Sequence, residues 1–364
     1  MSRRRTAVTL VPCLFAASVA FGLPAADGPT LPAEPKVPAK AGLPPTNFTQ
    51  PVPGSEVKFD MVYVPGGEFL MGSPESEPGR QPDEGPRHKV KVNPFWLAKV
   101  ETTWDQYYAF WKDEKIFVTG EVPDEIASKL KADAITRPTN TYVDELYEHG
   151  REGHPAICMT HHAAMVFCHW LRHKTGKGYR LPTEAEWEFA CRAGTDGPYG
   201  IPAGAKLGDY AWYADNSATD EASDESPRKE NKEKTTHKVG AKKPNALGLH
   251  DLHGNVSEWV LDQYDPKFYA RSPAEKLTLG PVNKPTDKKW GHVVRGGSWA
   301  DPADRLRSAA RRASDKSWMK HDPQLPQSIW WLTKMDVIGF RVALPAEEYP
   351  DLIGLKPMVV KKAD

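Results

Sequence analysis

The sequence has no excess of charge of either sign, because 48 lysines and arginines balance 48 aspartates and glutamates. Both signs are mixed along the chain, so there is neither a basic field nor an acidic tail. A protein that binds nucleic acid needs a basic surface to meet the phosphates. We therefore expect no nucleic-acid partner.

Cysteine is scarce, and none of the four occurs after Cys191. There is no CxxC pair and no Cys/His spacing typical of a zinc site. Cys13 lies in the N-terminal apolar run, which leaves Cys158, Cys168 and Cys191 in the body of the protein. Three thiols allow at most one internal disulfide, and the pairing stays open. At least one of the three is expected to be a small buried apolar residue.

Long apolar runs are also rare, and the clearest one extends from Ala7 to Phe21. Three arginines precede it, and small residues at Ala20 and Gly22 follow the pattern of a signal-peptidase site. The run is too short to span a membrane comfortably. Residues 1–22 are therefore predicted to be a signal peptide, which indicates a secreted or periplasmic protein with no membrane span once it is removed.

Proline and glycine are abundant, with 34 and 28 residues, and there are twelve tryptophans. This composition favours a loop-rich fold with short strands. Nine prolines fall within residues 24–53, so we predict a proline-rich linker over 23–56. One folded body is expected over 57–345, followed by a C-terminal tail over 346–364.

Several elements can be placed from local patterns. Residues 59–73 are predicted to form two strands that reverse at 65–67, where two glycines tolerate a positive φ. Residues 101–111 have the aromatic spacing of a short helix. The polar run 219–238 lacks any apolar period and is expected to be a solvated loop.

Two further helices have clear end signals. Thr160 is placed to cap one helix that Gly176 ends, and Thr183 with Glu186 forms a capping box for another that ends near Gly194. The core-facing residues of the second helix are predicted to be Trp187, Ala190 and Cys191.

Three histidines, His162, His169 and His173, share one face of the first of these helices. The last two have the i, i+4 spacing of a metal pair, but a zinc site needs three or four convergent ligands. Because this face lies opposite the apolar one, we expect the three side chains to face solvent.

The segment "HDLHGNVSEWV" (250–260) offers two carboxylates, Asp251 and Glu258, around a turn at Gly254-Asn255. Carboxylate and carbonyl oxygens suit a hard cation such as calcium. The alternative is a polar turn anchored by Trp259.

The segment "VVRGGSWADPADRLRSAARR" (293–312) combines a strand that ends at Arg295 with two glycines and further arginines. Arg307, Arg311 and Arg312 are candidates to pair with Asp301 and Asp304, which would make the segment purely structural. Downstream tryptophans could form either a ligand-binding aromatic surface or part of the core, namely Trp318, Trp330 and Trp331.

Read in order, several segments resemble the sulfatase-modifying-factor family, the formylglycine-generating-enzyme-like (FGE-like) domains. The resemblance implies an α+β, C-type-lectin-like FGE fold that is loop-rich, with short strands and a few helices. The motifs that carry it are "MVYVPGGEFLMGS", "DEGPRHKVKVNPFWLAKVETTWDQY", "GYRLPTEAEWEFACRAG", "PNALGLHDLHGNVSEWV", "VVRGGSW" and "IGFRVALP".

The resemblance also implies a calcium site. The family binds calcium through an acidic or amide side chain, two backbone carbonyls and a glutamate in its GNxWEW region. The corresponding positions here are Asp251, Gly254, Val256 and Glu258.

The family's copper chemistry does not carry over. Its oxidases bind copper(I) with two cysteines after the RGGS segment, and the first of these positions is Asp301 here. A hard carboxylate does not replace a soft thiolate on copper(I), so copper is not expected. The family's tryptophan in GNxWEW is replaced by Ser257, whereas Ser298 is retained. The candidate pocket comprises Arg295, Ser298, Trp299, Asp301 and Arg311.

Three functions follow as hypotheses. The first is an exported, calcium-stabilised module that binds a carbohydrate, a peptide or another envelope ligand. The second is an oxygen-dependent oxidoreductase with iron held by Asp301 and two of His253, His292 and His321. The third is a modifier or partner of an exported sulfatase.

Overall fold

The computed structural model describes residues 40–113, 149–218, 234–272, 276–286, 288–320, 322, 327–333, 335–353 and 355. Over these residues the fold is mixed α+β, with eleven strands of at most seven residues and three α-helices joined by long loops. The predicted loop-rich α+β class is confirmed. The signal peptide predicted over 1–22 and most of the polar run 219–238 lie outside the described residues. No helix in the described part of the chain is long and apolar enough to cross a membrane.

The first sheet joins the two ends of the folded body. Its order is β1 (Phe48–Pro51), β2 (Lys58–Val64), β5 (Phe95–Ala98) and β11 (Ala343–Pro345), all antiparallel. The first strand falls within the segment predicted to be linker, so the folded body begins earlier than residue 57. The many prolines of this segment predicted a linker. The strand forms nevertheless, because its pairing depends on a partner strand that lies elsewhere in the chain.

The C-terminal boundary is also displaced. Tyr349 and Leu352 are buried in the main hydrophobic core, although both fall within the segment predicted to be tail. The folded body therefore continues beyond residue 345.

The second sheet is central and carries the residues of the candidate site. Its order is β10 (Ile338–Phe340), β6 (Ser257–Gln263), β8 (His292–Arg295) and β9 (Arg312–Ala313). Every residue of β6 is buried, because the strand is paired on both edges and packed on both faces.

The third sheet consists of β3 (Gly67–Met71), β4 (His88–Val92) and β7 (Thr278–Leu279). The predicted hairpin between β2 and β3 is therefore wrong, since the two strands belong to different sheets. The predicted turn does exist at Gly66, whose φ is 70°. A Cβ at this position would lie 2.6 Å from the carbonyl oxygen of Val92, so the turn needs glycine, but it sends the chain into a new sheet.

The three helices are α1 (Trp104–Trp111), α2 (His161–Thr175) and α3 (Glu184–Arg192). The predicted caps are confirmed for α2, where the Thr160 side chain accepts from a backbone N–H and Gly176 has a φ of 68°. Both hydrogen bonds of the Thr183–Glu186 capping box are also present at the start of α3. That helix ends one residue before the predicted stop, at the left-handed Ala193.

Helix α2 is buried on nearly all sides, which makes the prediction of solvent-facing histidines wrong for His162 and His169. His162 packs against Trp330, and the facing Nε2 atoms of His169 and His173 lie 3.1 Å apart. The helical period identifies one apolar face but cannot show that other segments cover the opposite face. Of the two alternatives for the downstream tryptophans, the structure confirms the second, since all three are core residues, namely Trp318, Trp330 and Trp331.

All three described cysteines are free and buried, so the possible disulfide does not form. Burial raises the pKa of Cys168 and of Cys191 to about 12. The prediction of at least one buried, unreactive thiol is confirmed.

Candidate functional site

A cavity of about 290 Å³ opens where strand β8 ends. The chain leaves Arg295 through Gly296 and Gly297, which have φ values of 92° and 66°. A Cβ on Gly297 would lie 2.8 Å from a methyl group of Leu306, so a side chain there would close the bend. The cavity is lined by Ser257, Val294, Arg295, Gly296, Gly297, Asp301, Arg305, Ala310, Arg311 and Arg312.

Three of the five predicted pocket residues, Arg295, Asp301 and Arg311, line this cavity. Ser298 lies behind it, and its hydroxyl donates to Asp301 Oδ2 at 2.6 Å. Trp299 points elsewhere and donates from Nε1 to the carbonyl oxygen of residue 336 at 3.3 Å. The structure thus places Asp301 at the cavity wall, with Ser298 holding its carboxylate.

The arginines at the back of the cavity are held by helix α3. Glu184 accepts hydrogen bonds from Arg295 at 2.7 Å and from two nitrogens of Arg311 at 2.7 and 2.9 Å. Glu188 accepts from Arg295 at 2.6 Å and from Arg192 at 2.9 Å. Helix α3 therefore fixes the position and the charge of the cavity's inner wall.

The predicted ion pairing of this segment occurs, but the predicted partners are wrong. Arg307 pairs with Glu77 at 2.7 Å and with Glu84 at 2.6 Å, whereas its contact with Asp304 is to the backbone carbonyl. Acids close in sequence suggested local pairing. The fold instead supplies acids from the loop over 77–84 and from helix α3.

The buried carboxyl groups near the cavity separate into charged and neutral forms. Burial alone would raise the pKa of Glu184 and Glu188, but the surrounding arginines hold both below the ordinary value. Burial, followed by the charge of Glu184, raises the pKa of Asp262 to about 8. The arginines therefore favour the ionised form of both glutamates, whereas burial disfavours the ionised form of Asp262.

The predicted calcium residues lie in the segment 251–258, which comprises the loop before β6 and the first two residues of that strand. Asp251 is 3% exposed, and its Oδ2 accepts from the backbone N–H of Gly240 at 2.6 Å. Its Oδ1 is buried without a hydrogen-bond partner among the described residues. Glu258 is held by two nitrogens of Arg341, both at 2.7 Å, and by the indole N–H of Trp187 at 2.9 Å.

A third carboxylate, Glu101, joins this cluster and was missed in the sequence. It accepts from the backbone N–H of Val256 at 2.9 Å and from the Asn255 amide at 2.6 Å. Burial, followed by the charges of Asp251 and Glu258, raises its pKa well above the ordinary value. Glu101 and Val256 are more than 150 residues apart in the sequence, and only the fold brings them together. No local pattern could therefore predict this contact.

The oxygen donors and the excess negative charge of this cluster are of the kind that suits a hard cation, but both carboxylate oxygens of Glu258 are already held by Arg341. Glu101, Asp251 and Glu258 share a buried volume with one compensating arginine, Arg341, and Asp251 Oδ1 lacks a donor. In the described part of the chain no group of three or more His, Cys, Asp or Glu side chains is arranged to hold a metal ion. The implied calcium site depends instead on two side chains with the carbonyls of Gly254 and Val256.

The histidines considered as iron ligands have other roles. Both ring nitrogens of His253 are engaged, Nδ1 at 2.7 Å from the Leu306 carbonyl and Nε2 accepting from the Gly200 N–H at 2.9 Å. His292 stacks on His161 with a ring separation of 3.9 Å. His321 lies outside the described residues. Over the residues that are described, these histidines do not form a metal group with Asp301.

Fold and site together define an FGE-like protein, and comparison with known proteins shows the family. Residues 48–323 match the model of the sulfatase-modifying factor enzyme 1-like domain. The chain belongs to this FGE-sulfatase family.

The similar proteins are named for different activities. The chain is 29% identical to the formylglycine-generating enzyme of Streptomyces coelicolor, covering 70% of this chain and 83% of that protein. It is 29% identical to the inactive C-alpha-formylglycine-generating enzyme 2 of Bos taurus, over 82% and 92% of the two chains. It is also 30% identical to the serine/threonine-protein kinase pkn1 of Chlamydia pneumoniae, over 70% of this chain but only 35% of that protein.

Two solved structures show the same fold. PvdO from Pseudomonas aeruginosa superposes with a TM-score of 0.57 at 28% identity, over 84% of this chain and all of that one. Treponema denticola variable protein 1 gives a TM-score of 0.55 at 22% identity, over 83% and 100% of the two chains. The second likeness concerns the fold alone.

Replacing Glu188 with alanine is expected to destabilise the protein by about 3–5 kcal/mol, because Arg295 would lose one of its two buried carboxylates and Arg192 would lose the carboxylate that it pairs with in the described part of the chain. Urea unfolding of the purified protein measures the loss. The matched control is Asp209→Ala, which removes an exposed pair with Lys243 and should cost much less, because solvent screens exposed charges. Equal losses in the two variants would contradict the role assigned to the buried network.

Proposed function

We propose that this chain is an exported, calcium-stabilised FGE-like protein whose cavity beside Asp301 binds an envelope ligand, without copper–cysteine formylglycine generation. The observation that carries the proposal is the chemistry of the cavity wall. Among the described residues, its lining offers carboxylate, guanidinium, hydroxyl and backbone groups and no thiol.

Copper(I) does not fit this donor set. The position implied for the first copper ligand is Asp301, whose carboxylate is a hard ligand already held by Ser298. The last thiol of the sequence, Cys191, is fully buried, and burial raises its pKa to about 12. A thiol that stays protonated is neither a metal ligand nor a nucleophile.

The cavity has room for part of a ligand. Ser257, which replaces the tryptophan implied by the resemblance, lines the cavity directly. A serine leaves open the volume that an indole would fill. The cavity of about 290 Å³ approaches the size typical of small-molecule sites, with polar groups converging on one end.

Calcium would have a structural role on the other side of strand β6. Asp251 and Glu258 would hold the ion together with the carbonyls of Gly254 and Val256, and Glu101 would keep the loop in place from behind. Bound calcium would supply the positive charge that the buried carboxylates lack. Its effect would reach the cavity through β6, which begins at Ser257.

The relative named as an inactive formylglycine-generating enzyme supports this view, since it shows that the family includes proteins so described. Export and an envelope ligand are supported by the signal-peptide pattern of residues 1–22.

Removing calcium with a chelator is expected to lower the melting temperature, and adding calcium back should restore it. A ligand at a hundredfold excess over its Kd stabilises the folded state by about 2.7 kcal/mol. Asp251→Ala should abolish the calcium response, whereas Asp209→Ala should keep it. A wild-type melting temperature that ignores both chelator and calcium would refute the calcium site.

The protein supplied with copper(I) and oxygen should leave a peptidyl cysteine substrate unchanged, because no thiolate pair exists near Asp301. Mass spectrometry of the peptide detects the aldehyde, and the Streptomyces coelicolor enzyme provides the positive control. Aldehyde formation by this protein would overturn the proposal.

Ligand binding can be tested on arrays of glycans and peptides. Ser257→Trp should reduce binding to any captured ligand by at least about tenfold, since the indole would occupy the cavity. Ser55→Trp, at an exposed position in the loop between β1 and β2, is the matched control and should bind normally. Normal binding by a folded Ser257→Trp variant would show that the cavity is not the ligand site.

A further inference from the structure

The arginines at the cavity's inner wall are paired with carboxylates, and among the described residues those at its opening are not. Arg295 and Arg311 lie at the inner wall, but Glu184 and Glu188 neutralise them at hydrogen-bond distance. These two guanidinium groups position the wall and have little charge left for a ligand.

Arg305 and Arg312 behave differently. Both line the cavity and are exposed. Within the described part of the chain, neither forms an ion pair with a carboxylate within 4 Å, the distance that defines the pairs found elsewhere. Arg312 lies over the Trp318 ring at 5.0 Å, a contact that restrains its guanidinium plane and leaves its N–H edge available.

Of the described residues that line the cavity, Asp301 alone carries a carboxylate. Ser298 occupies its Oδ2, and the remaining acceptor capacity can take an O–H or N–H donor from a ligand. The opening therefore combines two arginine donors with one fixed acceptor, and the positive charge exceeds the negative by one.

We propose that this cavity selects a hydroxylated oxyanion, such as a sugar that carries a carboxylate or a sulfate. Arg305 and Arg312 bind the oxyanion group through charge-assisted hydrogen bonds, and Asp301 accepts from a neighbouring hydroxyl. This inference rests on the proposed ligand-binding function and names the ligand's chemistry. An acidic sugar fits better than a neutral one, because a neutral ligand would leave both arginines unpaired.

The test is a calorimetric titration of the purified protein with glucuronic acid, glucose 6-sulfate and glucose. At least one acidic sugar should bind about tenfold or more tightly than glucose, since hydrogen bonds to charged groups are the stronger ones. The carboxylate and sulfate arms identify which oxyanion is preferred. Binding should weaken as salt is raised, because the arginines are exposed.

Reversing the charge of the two arginines at the opening measures their contribution to binding. The double variant Arg305→Glu with Arg312→Glu should lose at least about tenfold in affinity for the acidic sugar and keep its fold, because both side chains are exposed. The control Lys58→Glu with Lys91→Glu makes the same change in net charge on two other sheets and should bind as the wild type does.

Failures of the two proposals are distinguishable. If Ser257→Trp blocks capture of neutral ligands and the arginine reversal changes nothing, the cavity binds ligands but the oxyanion inference is wrong. Unchanged affinity for acidic sugars in the arginine double variant, or no binding of either acidic sugar, would also overturn it. If Ser257→Trp blocks no ligand at all, the proposed function itself fails.

Discussion

The structure depends on a set of buried glutamates on one short helix, each paired with arginine. Helix α3 presents Glu184, Glu186 and Glu188, all at most 1% exposed. Glu186 closes the helix's own capping box and binds Arg180 at 2.7 Å, so the same carboxylate starts the helix and ties it to another segment. Ionised carboxylates in a protein interior are costly unless they are paired, and this requirement links α3 to the chain's distant segments.

The cavity is a consequence of that constraint. Glu184 and Glu188 hold Arg295 at the end of β8, and the two glycines that follow turn the chain around an open space. The two glutamates therefore hold the arginine of the inner wall in place and neutralise its charge. The side chains that remain available to a ligand line the opening, and they are Arg305, Arg312 and Asp301. Among the described residues that line it are carboxylate, hydroxyl and guanidinium groups, and none is the soft thiolate that cuprous copper requires.

Strand β6 connects the two sites. Ser257, its first residue, lines the cavity, and Glu258 points toward the carboxylate cluster with Glu101 and Asp251. Side chains alternate along a strand, and neighbouring residues therefore point to opposite faces. For this reason Ser257 faces the cavity and Glu258 faces the carboxylate cluster. The strand that joins the two places has no exposed residue.

The sequence by itself determined features that depend on neighbouring residues. Thr160 and Thr183 act as helix caps and Gly66 permits the turn, because each follows from local backbone and hydrogen-bond geometry. Only the tertiary structure decided which partners meet across the chain. It buried His162 and His169, gave Arg307 the acids of a distant loop, brought Glu101 to the Asp251 loop and separated β2 from β3 into two sheets. A local pattern states which face of an element is apolar or charged, but the surface that comes to cover that face is supplied by the rest of the fold.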